Sequence, residues 1–308
     1  MYKKTSLVRM LICIITAFFC IGCSESPKKT SKNHTDERRT TVTECLVPQA
    51  SGTVVLENET TSIDASHTSE GYVQVCYTGS ASKVKLQIIT PKETTYSYNL
   101  RIGNYETFPL SDGNGTYTLN VLENVQDDMY AISFSQPIDV SLSDEFKPFL
   151  YPNQYVWFTE EDNTVKLGRE ISEKTSNDLD YVEQIYNYVI EHISYDDQLA
   201  KNVQSDYLPV IDNTLSSGKG ICFDYASLMA ALLRSQMIPT KLEVGYSGDS
   251  YHAWISVYLK ELGWVNNIIE FDGKNWSLMD PTLASNNSDA AVKKYIGDGS
   301  NYMVKYSY

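Results

Sequence analysis

Helical and strand periodicities occupy separate stretches in the C-terminal half of this chain, and that separation limits the folds open to it. Between Leu179 and Ile193, apolar residues recur at three- and four-residue steps, as on one buried helix face. Ser176 or Asn177 can cap the start of this helix. A second helix is predicted over residues 222–235. Strands are predicted after it, at 241–246, 252–258, 266–271 and 276–279. Helices followed by an antiparallel sheet predict an α+β fold.

The N-terminal half shows strand signals instead. Residues 72–77, 84–88 and 117–121 alternate between apolar and polar side chains, and residues 112–115 (Asp-Gly-Asn-Gly) form a strong turn cluster. Several short strands at this spacing predict an all-β, sandwich-like domain over residues 46–143. No cluster of His, Asp and Glu with ligand spacing is evident there, so we expect an accessory rather than a catalytic domain.

Three residues in the C-terminal third carry the chemistry that a nucleophilic site needs. Cys222 follows Gly218-Lys219-Gly220, His252 lies in Tyr-His-Ala-Trp, and Asp280 precedes Pro-Thr. A thiol is a strong nucleophile as the thiolate, a histidine can accept its proton, and a carboxylate can orient that histidine. The three residues together predict acyl transfer through a thioester.

Their predicted placement supports this interpretation. Cys222 opens the second helix, where unpaired N–H groups and the helix dipole are expected to lower the thiol pKa and to hold an oxyanion. His252 lies within a strand, and Asp280 ends the next strand but one, within reach of the imidazole if the strands are adjacent. Each residue also has an ordinary explanation when taken alone: a small buried Cys, a structural His and an Asp-Pro turn.

The same residues resemble the bacterial transglutaminase-like superfamily. Gly-Lys-Gly-Ile-Cys-Phe-Asp-Tyr-Ala at 218–226 is similar to its nucleophile motif, and Ile193-Ser-Tyr-Asp, His252-Ala-Trp and Asp280-Pro-Thr are similar to its flanking motifs. The resemblance spans residues 179–282. It implies a papain-related Cys-His-Asp core in residues 144–308, with Cys222 as nucleophile, His252 as base and acid, and Asp280 as orienter. It leaves open whether water or an amine completes the reaction.

The N-terminus has the pattern of a bacterial lipoprotein leader. Three basic residues precede an apolar run at 10–21, which is shorter than the ~20 residues that a spanning helix needs. Cys20-Ile-Gly-Cys23 resembles a lipoprotein cleavage box with Cys23 as the acylated residue, although Cys20 stands where Leu is usual. We predict a signal peptide at 1–23, a disordered tether at 24–45 and a lipid anchor on the outer face of the bacterial cell membrane. Ordinary secretion is the alternative.

Cysteine usage fits an exported protein. After the leader and Cys23 are set aside, Cys45, Cys76 and Cys222 remain. Three is an odd number, so at most one disulfide can form. Two alternatives remain open. In one, Cys45 and Cys76 form a disulfide and Cys222 is free; in the other, all three cysteines are reduced.

The net charge of −14 disfavours nucleic acid, because nucleic acid binding demands a basic surface. We expect neither a metal nor an organic cofactor, since Cys222 and His252 lack ligand spacing and no Asp-rich calcium loop is present. The expected partners are a peptide or protein substrate, at the cell surface or in the cell wall, and the membrane through the anchor. The sequence leaves the oligomeric state open.

We therefore expect a surface-anchored cysteine enzyme that acts on peptide or protein amide bonds, by hydrolysis or by acyl transfer to an amine. Hydrolysis is favoured because a site that faces bulk water has to exclude water before acyl transfer to an amine can outpace hydrolysis. The alternative is a binding or scaffolding lipoprotein that keeps the same fold without turnover.

Overall fold

The computed structural model describes residues 39–266, 269–271, 276–278 and 302–308. The predicted leader, Cys23 and Asp280 lie outside these residues, so the statements about them remain predictions. Among the described helices, none is long and apolar enough to span a membrane.

The N-terminal half consists of strands. They are β1 (Val55–Glu57), β2 (Thr61–Asp64), β3 (Tyr72–Tyr77), β4 (Val84–Ile89), β5 (Thr95–Leu100), β6 (Glu106–Pro109), β7 (Gly115–Gln126) and β8 (Met129–Val140). They form two four-stranded antiparallel sheets, in the orders β1-β2-β3-β6 and β5-β4-β7-β8. The three strands predicted from alternation lie at β3, in β4 and in β7.

Alternation explains how these sheets bury their apolar faces. Along β4, buried and half-buried residues alternate, and along β5 buried and exposed residues alternate. Leu86 of β4 is fully buried, and it belongs to the same hydrophobic cluster as Val75 of the other sheet. Side chains two residues apart point to the same face of a strand, so one face supplies the core and the other is more open to solvent.

The helices follow the strands. They are α1 (Asn163–Ser172), α2 (Asp178–His192), α3 (Asp197–Asn202), α4 (Ile211–Ser217) and α5 (Cys222–Arg234). Helix α2 is the helix predicted from the apolar stripe at residues 179–193. The side chain of Asn177 caps it by accepting a hydrogen bond from the Asp180 N–H at 2.9 Å. Helix α5 is the second predicted helix. The sequence did not predict α1, α3 or α4.

A second group of strands follows α5. They are β11 (Thr240–Ser247), β12 (Ser250–Leu259), β13 (Gly263–Val265), β14 (Ile269–Phe271), β15 (Trp276–Leu278) and β16 (Tyr302–Ser307); the short strands β9 (Ser194–Tyr195) and β10 (Lys219–Gly220) precede them. One antiparallel sheet has the order β13-β12-β11-β16, β14 pairs with β15, and β9 pairs in parallel with β10. Sheets at 55–140 followed by helices and strands confirm the predicted α+β fold.

Helix α5 is the most deeply buried element of the C-terminal half: every residue from Asp224 to Arg234 is buried. The Arg234 guanidinium donates hydrogen bonds to the main-chain oxygens of Tyr151 at 3.1 Å, Thr240 at 2.9 Å and Tyr308 at 2.6 Å. These bonds offset the free energy that burying a charge costs. Burial also lowers the pKa of Arg234 to about 9. The C-terminal end of α5 is therefore tied to three separate parts of the chain.

The predicted tether is ordered over its last residues. The Arg39 side chain is bonded to Asp178 at 2.7 Å and to the Ser172 hydroxyl at 2.6 Å, and its guanidinium lies 4.6 Å from the centre of the Tyr181 ring. The Cys45 N–H donates to the Glu160 carboxylate at 3.0 Å. Residues 39–45 thus pack on α1, on α2 and on the segment before α1, where their polar groups are hydrogen-bonded.

The three cysteines outside the leader region are free thiols. Cys76 is buried in β3, while Cys45 and Cys222 are half-buried. No Cys45–Cys76 disulfide is present, so the reduced alternative describes this structure.

Candidate active site

The nucleophile candidate lies at the first position of α5. Helix α4 ends at Gly218, whose φ of 63° is the left-handed conformation that glycine adopts without strain. The chain then pairs with β9 through Lys219 and Gly220, and Cys222 begins the helix. Main-chain N–H groups of Phe223 and Ala253 lie near the Cys222 sulfur and lower its pKa. The predicted helix start at Cys222 is therefore correct.

His252 comes from the neighbouring sheet. It lies in β12 opposite Gly245 of β11, and its ring stacks on Trp254 with centroids 6.3 Å apart. Trp254 is itself fixed, since its indole N–H donates to the buried Glu243 carboxylate at 2.8 Å. The same carboxylate accepts a 2.7 Å bond from the Ser256 hydroxyl. This arrangement holds the imidazole in a packed strand rather than on a loop.

Cys222 and His252 line the same cleft, which has a volume of about 370 Å³. The Ala253 N–H that reaches the Cys222 sulfur belongs to the residue after His252, so β12 contacts the nucleophile directly. Within the described residues, no hydrogen bond joins the sulfur to the imidazole. Catalytic hydrogen bonds are often long in free enzymes and tighten when substrate binds.

The Nε2 atom of His252 is buried and has no hydrogen-bond partner among the described residues. An unpaired buried ring nitrogen costs free energy, so a partner for it is expected. The predicted partner is the carboxylate of Asp280, which lies outside the described residues.

Burial determines the protonation state of the pair. Burial raises the pKa of the Cys222 thiol, the N–H groups of Ala253 and Phe223 lower it, and the charge of Asp224 raises it; the net direction is upward. Burial lowers the pKa of His252 to about 4. The sequence predicted a lowered thiol pKa at the helix start, and this prediction is wrong for the free protein because burial outweighs the donors. At neutral pH the site holds a thiol and a neutral imidazole.

Asp224 is a part of the site to which the sequence analysis gave no catalytic role. It is buried, it accepts a hydrogen bond from the Ile221 N–H at 2.8 Å, and it accepts another from the Tyr207 hydroxyl at 2.6 Å. A Cβ on Gly220 would lie 2.6 Å from the Asp224 Cβ, so only glycine fits there. Asp224 thereby fixes the loop before Cys222 to Tyr207 on the cleft wall. An acidic residue at the third position of a helix is the sequence signal for the bond between the Asp224 carboxylate and the Ile221 N–H.

The remaining histidine of this half has a structural role. The Nδ1 atom of His192 lies 2.8 Å from the Tyr188 main-chain oxygen, and its ring stacks on Tyr188 at 4.1 Å. Within the described ranges, no three His, Cys, Asp or Glu side chains are grouped so that they could hold a metal ion.

The fold and the cleft agree with the family comparison. Residues 165–267 match the family model of the transglutaminase-like superfamily. This range includes Cys222 and His252 and ends before Asp280. The chain thus carries a transglutaminase-like superfamily domain in its C-terminal half. No curated protein matches the chain.

Three solved structures are similar to the chain. One is a protein from Cytophaga hutchinsonii that is provisionally described as a cysteine protease. It is 16% identical to this chain, with a TM-score of 0.36, and the match covers 77% of this chain and 83% of that one. Red sea bream transglutaminase is 13% identical, with a TM-score of 0.35 and coverages of 73% and 53%, so the match spans about half of that chain. The periplasmic domain of TgpA from Pseudomonas aeruginosa is 12% identical, with a TM-score of 0.31 and coverages of 79% and 99%.

We predict that Asp224→Asn makes Cys222 more reactive. The amide oxygen can still accept the bond from the Ile221 N–H, and the amide NH₂ can donate to the Tyr207 hydroxyl oxygen, while the negative charge that raises the Cys222 pKa is removed. The pKa of Cys222 should therefore fall, and alkylation by iodoacetamide near pH 8 should speed up several-fold, since the thiolate is the reacting form. Peptide mass mapping of Cys222 against time measures the rate.

Asp212→Asn is the matched control. Asp212 also accepts hydrogen bonds from the start of a helix, through the N–H groups of Asn163 and Thr164 at 2.9 Å, and it does not contribute to the Cys222 pKa. Its substitution should leave the alkylation rate unchanged. An unchanged or slower rate in Asp224→Asn would show that its charge does not control the thiol.

Proposed function

We propose that this protein is a cysteine-dependent enzyme that acts on amide bonds of peptides or proteins through a thioester. The observation that supports this most directly is the shared cleft, in which Cys222 at a helix start and His252 on a packed strand face the same space. The transglutaminase-like match over residues 165–267 supports the same class of chemistry.

The first half of the reaction forms the thioester. As the Cys222 sulfur attacks the carbonyl carbon, its proton passes to the neutral His252 imidazole. The carbonyl oxygen becomes an oxyanion, and main-chain N–H groups at the start of α5 are placed to stabilise it. The C–N bond then breaks, and the leaving amine takes the proton from His252. At neutral pH the His252 imidazole is unprotonated and has a ring nitrogen free to accept this proton, and a carboxylate partner would strengthen it as a base.

The second half returns the enzyme to its starting state. Water or an amine gives a proton to His252 and attacks the thioester carbon, the C–S bond breaks, and the sulfur recovers its proton from the imidazolium. We favour water as the acceptor, because the cleft opens to solvent and transfer requires that water be kept out. In this proposal Asp280 is the partner of the buried Nε2 atom of His252. Its carboxylate would orient the imidazole ring and would stabilise the imidazolium after the ring has taken up a proton.

A silent binding or scaffolding protein is the second candidate. The raised pKa of Cys222 and the absence of a sulfur–imidazole hydrogen bond among the described residues favour it. Such a protein would bind its partner equally well after Cys222→Ala and would never form a thioester.

We predict that Cys222→Ala abolishes turnover and that His252→Ala lowers it at least about 100-fold, the range that general base catalysis supplies. Cys222→Ala removes only the sulfur atom, so its thermal unfolding midpoint should stay close to that of the wild type, and His252→Gln, which preserves more of the side-chain volume, should lose turnover in the same way as His252→Ala. Turnover is measured as cleavage of peptide amides and as incorporation of a primary amine into a protein, with product masses separating hydrolysis from transfer.

Cys45→Ala and His192→Ala are the matched controls, since both residues lie away from the cleft. They should retain activity. Full turnover in Cys222→Ala or His252→Ala would contradict the assignment of nucleophile and base.

We also propose that Cys23 is acylated and that it anchors the protein to the outer face of the bacterial cell membrane. The basic start, the apolar run at 10–21 and the Cys-Ile-Gly-Cys box support this proposal. In bacteria grown with an alkyne fatty acid, the wild-type protein should take up the label and sediment with membranes.

Cys23→Ser should lose both the label and the membrane fraction, whereas Cys13→Ala in the apolar run outside the box should keep them. Label that persists on Cys23→Ser would contradict lipidation at this residue.

A further inference from the structure

Aromatic side chains form a large part of the described wall of the cleft around Cys222, beside aliphatic residues and the uncharged polar residues Gln204 and Ser205. Six rings line it, and some of them come from residues far apart in sequence. They are Tyr155, Tyr195, Tyr207, Phe223, Tyr251 and Tyr308. No Asp, Glu, Lys or Arg side chain is found among the described residues that line the cleft.

The wall is also neutral in solution near pH 7. His252 is its only histidine among the described lining residues, and burial lowers the pKa of that imidazole to about 4, so it carries no charge. The surrounding protein is different, with a net charge of −14. A charged substrate group would lose hydration in this cleft without gaining an ionic partner from the described wall.

Three of the rings, those of Tyr155, Phe223 and Tyr308, pack on one another before a ligand arrives. Tyr155 packs edge-on against Tyr308 with centroids 4.6 Å apart and planes at 89°, and against Phe223 at 5.3 Å and 69°. Tyr251 is 59% exposed, so its ring is accessible to an incoming group. Rings that are already in place add contact area at a small cost in conformational entropy.

The size of the cleft restricts what can enter it. A volume of about 370 Å³ is at the small end of the range for ligand pockets, so it accommodates one large side chain beside the reacting carbonyl. An extended peptide can present a single side chain in this way.

From these observations we propose that the cleft selects acyl donors with an uncharged, aromatic group next to the reacting carbonyl, presented on an extended peptide. This inference rests on the proposed function, because it concerns the substrate of the same thiol. The wall favours such a group through ring contacts, and it disfavours an anionic group through desolvation and through the buried carboxylate of Asp224 behind Tyr207.

Three iodoacetamides with the same reactive group test the selection. Their nitrogen substituents are benzyl, carboxymethyl and trimethylammonioethyl, so they are aromatic, anionic and cationic. Rates at Cys222 are measured by peptide mass mapping on the native full chain, and each is divided by the rate at Cys222 in the urea-unfolded chain. This division removes the intrinsic reactivity of each reagent.

The normalised rate of the benzyl reagent should be about tenfold above that of the carboxymethyl reagent. The ring contact favours the first reagent and the desolvation penalty disfavours the second. The benzyl reagent should also exceed the cationic one. Tyr251→Ala should reduce the ratio of benzyl to carboxymethyl rates several-fold. Tyr105→Ala is the matched control: its ring is 42% exposed and does not line this cleft, so the ratio should not change.

Two results would overturn the inference while leaving the proposed function intact. One is equal normalised rates for the three reagents, which would mean that the wall does not select. The other is a cationic reagent that reacts fastest, which would make the rings a site for cations instead. If unsubstituted iodoacetamide fails to modify native Cys222 yet modifies the unfolded chain, the proposed function and this inference both fail.

Discussion

The C-terminal half depends on the burial of helix α5. The helix is covered on all sides from Asp224 to Arg234, and the Arg234 guanidinium ties its end to three main-chain oxygens. A helix held in this way cannot shift without exposing apolar surface and unpairing a buried charge. The position of Cys222 is therefore set by the core of the domain. The sheet that carries His252 packs against the same helix, so both residues are positioned by one hydrophobic core.

The same burial determines how the site can work. It raises the pKa of the thiol and lowers that of the imidazole, so the two groups rest in their neutral forms. Both shifts favour the neutral thiol and imidazole over a preformed thiolate–imidazolium pair. In the account proposed here, His252 takes the proton as the sulfur attacks. The buried Nε2 atom of His252 then needs an acceptor to stabilise the imidazolium, and Asp280 is the residue proposed for that role.

Local patterns in the sequence predicted part of this architecture. The apolar stripe of α2, the start of α5 and the strand that carries His252 were predicted, because periodicity and caps record them locally. Helix α1 was missed: Gly168 lowers its helix propensity, and a Cβ there would lie 3.1 Å from the Tyr181 hydroxyl, a contact visible only in three dimensions. The pairing of Tyr195 with Gly220 and the aromatic wall of the cleft were missed for the same reason, since distant segments create them. The sign of the thiol pKa shift was wrong, because burial is not readable from a helix start.

The most direct test of the account is the pH dependence of Cys222 acylation by p-nitrophenyl acetate in the wild type and in His252→Ala, with Cys222→Ala as the blank. If neutral His252 is the base, the wild-type rate rises with pH as the imidazole loses its proton, at a pH below the ordinary imidazole value because burial lowers its pKa, and stays high through neutral pH. His252→Ala should lack this rise and should react only as the thiol itself ionises at alkaline pH. Coincident profiles for the two proteins would contradict the assignment of His252 as the base.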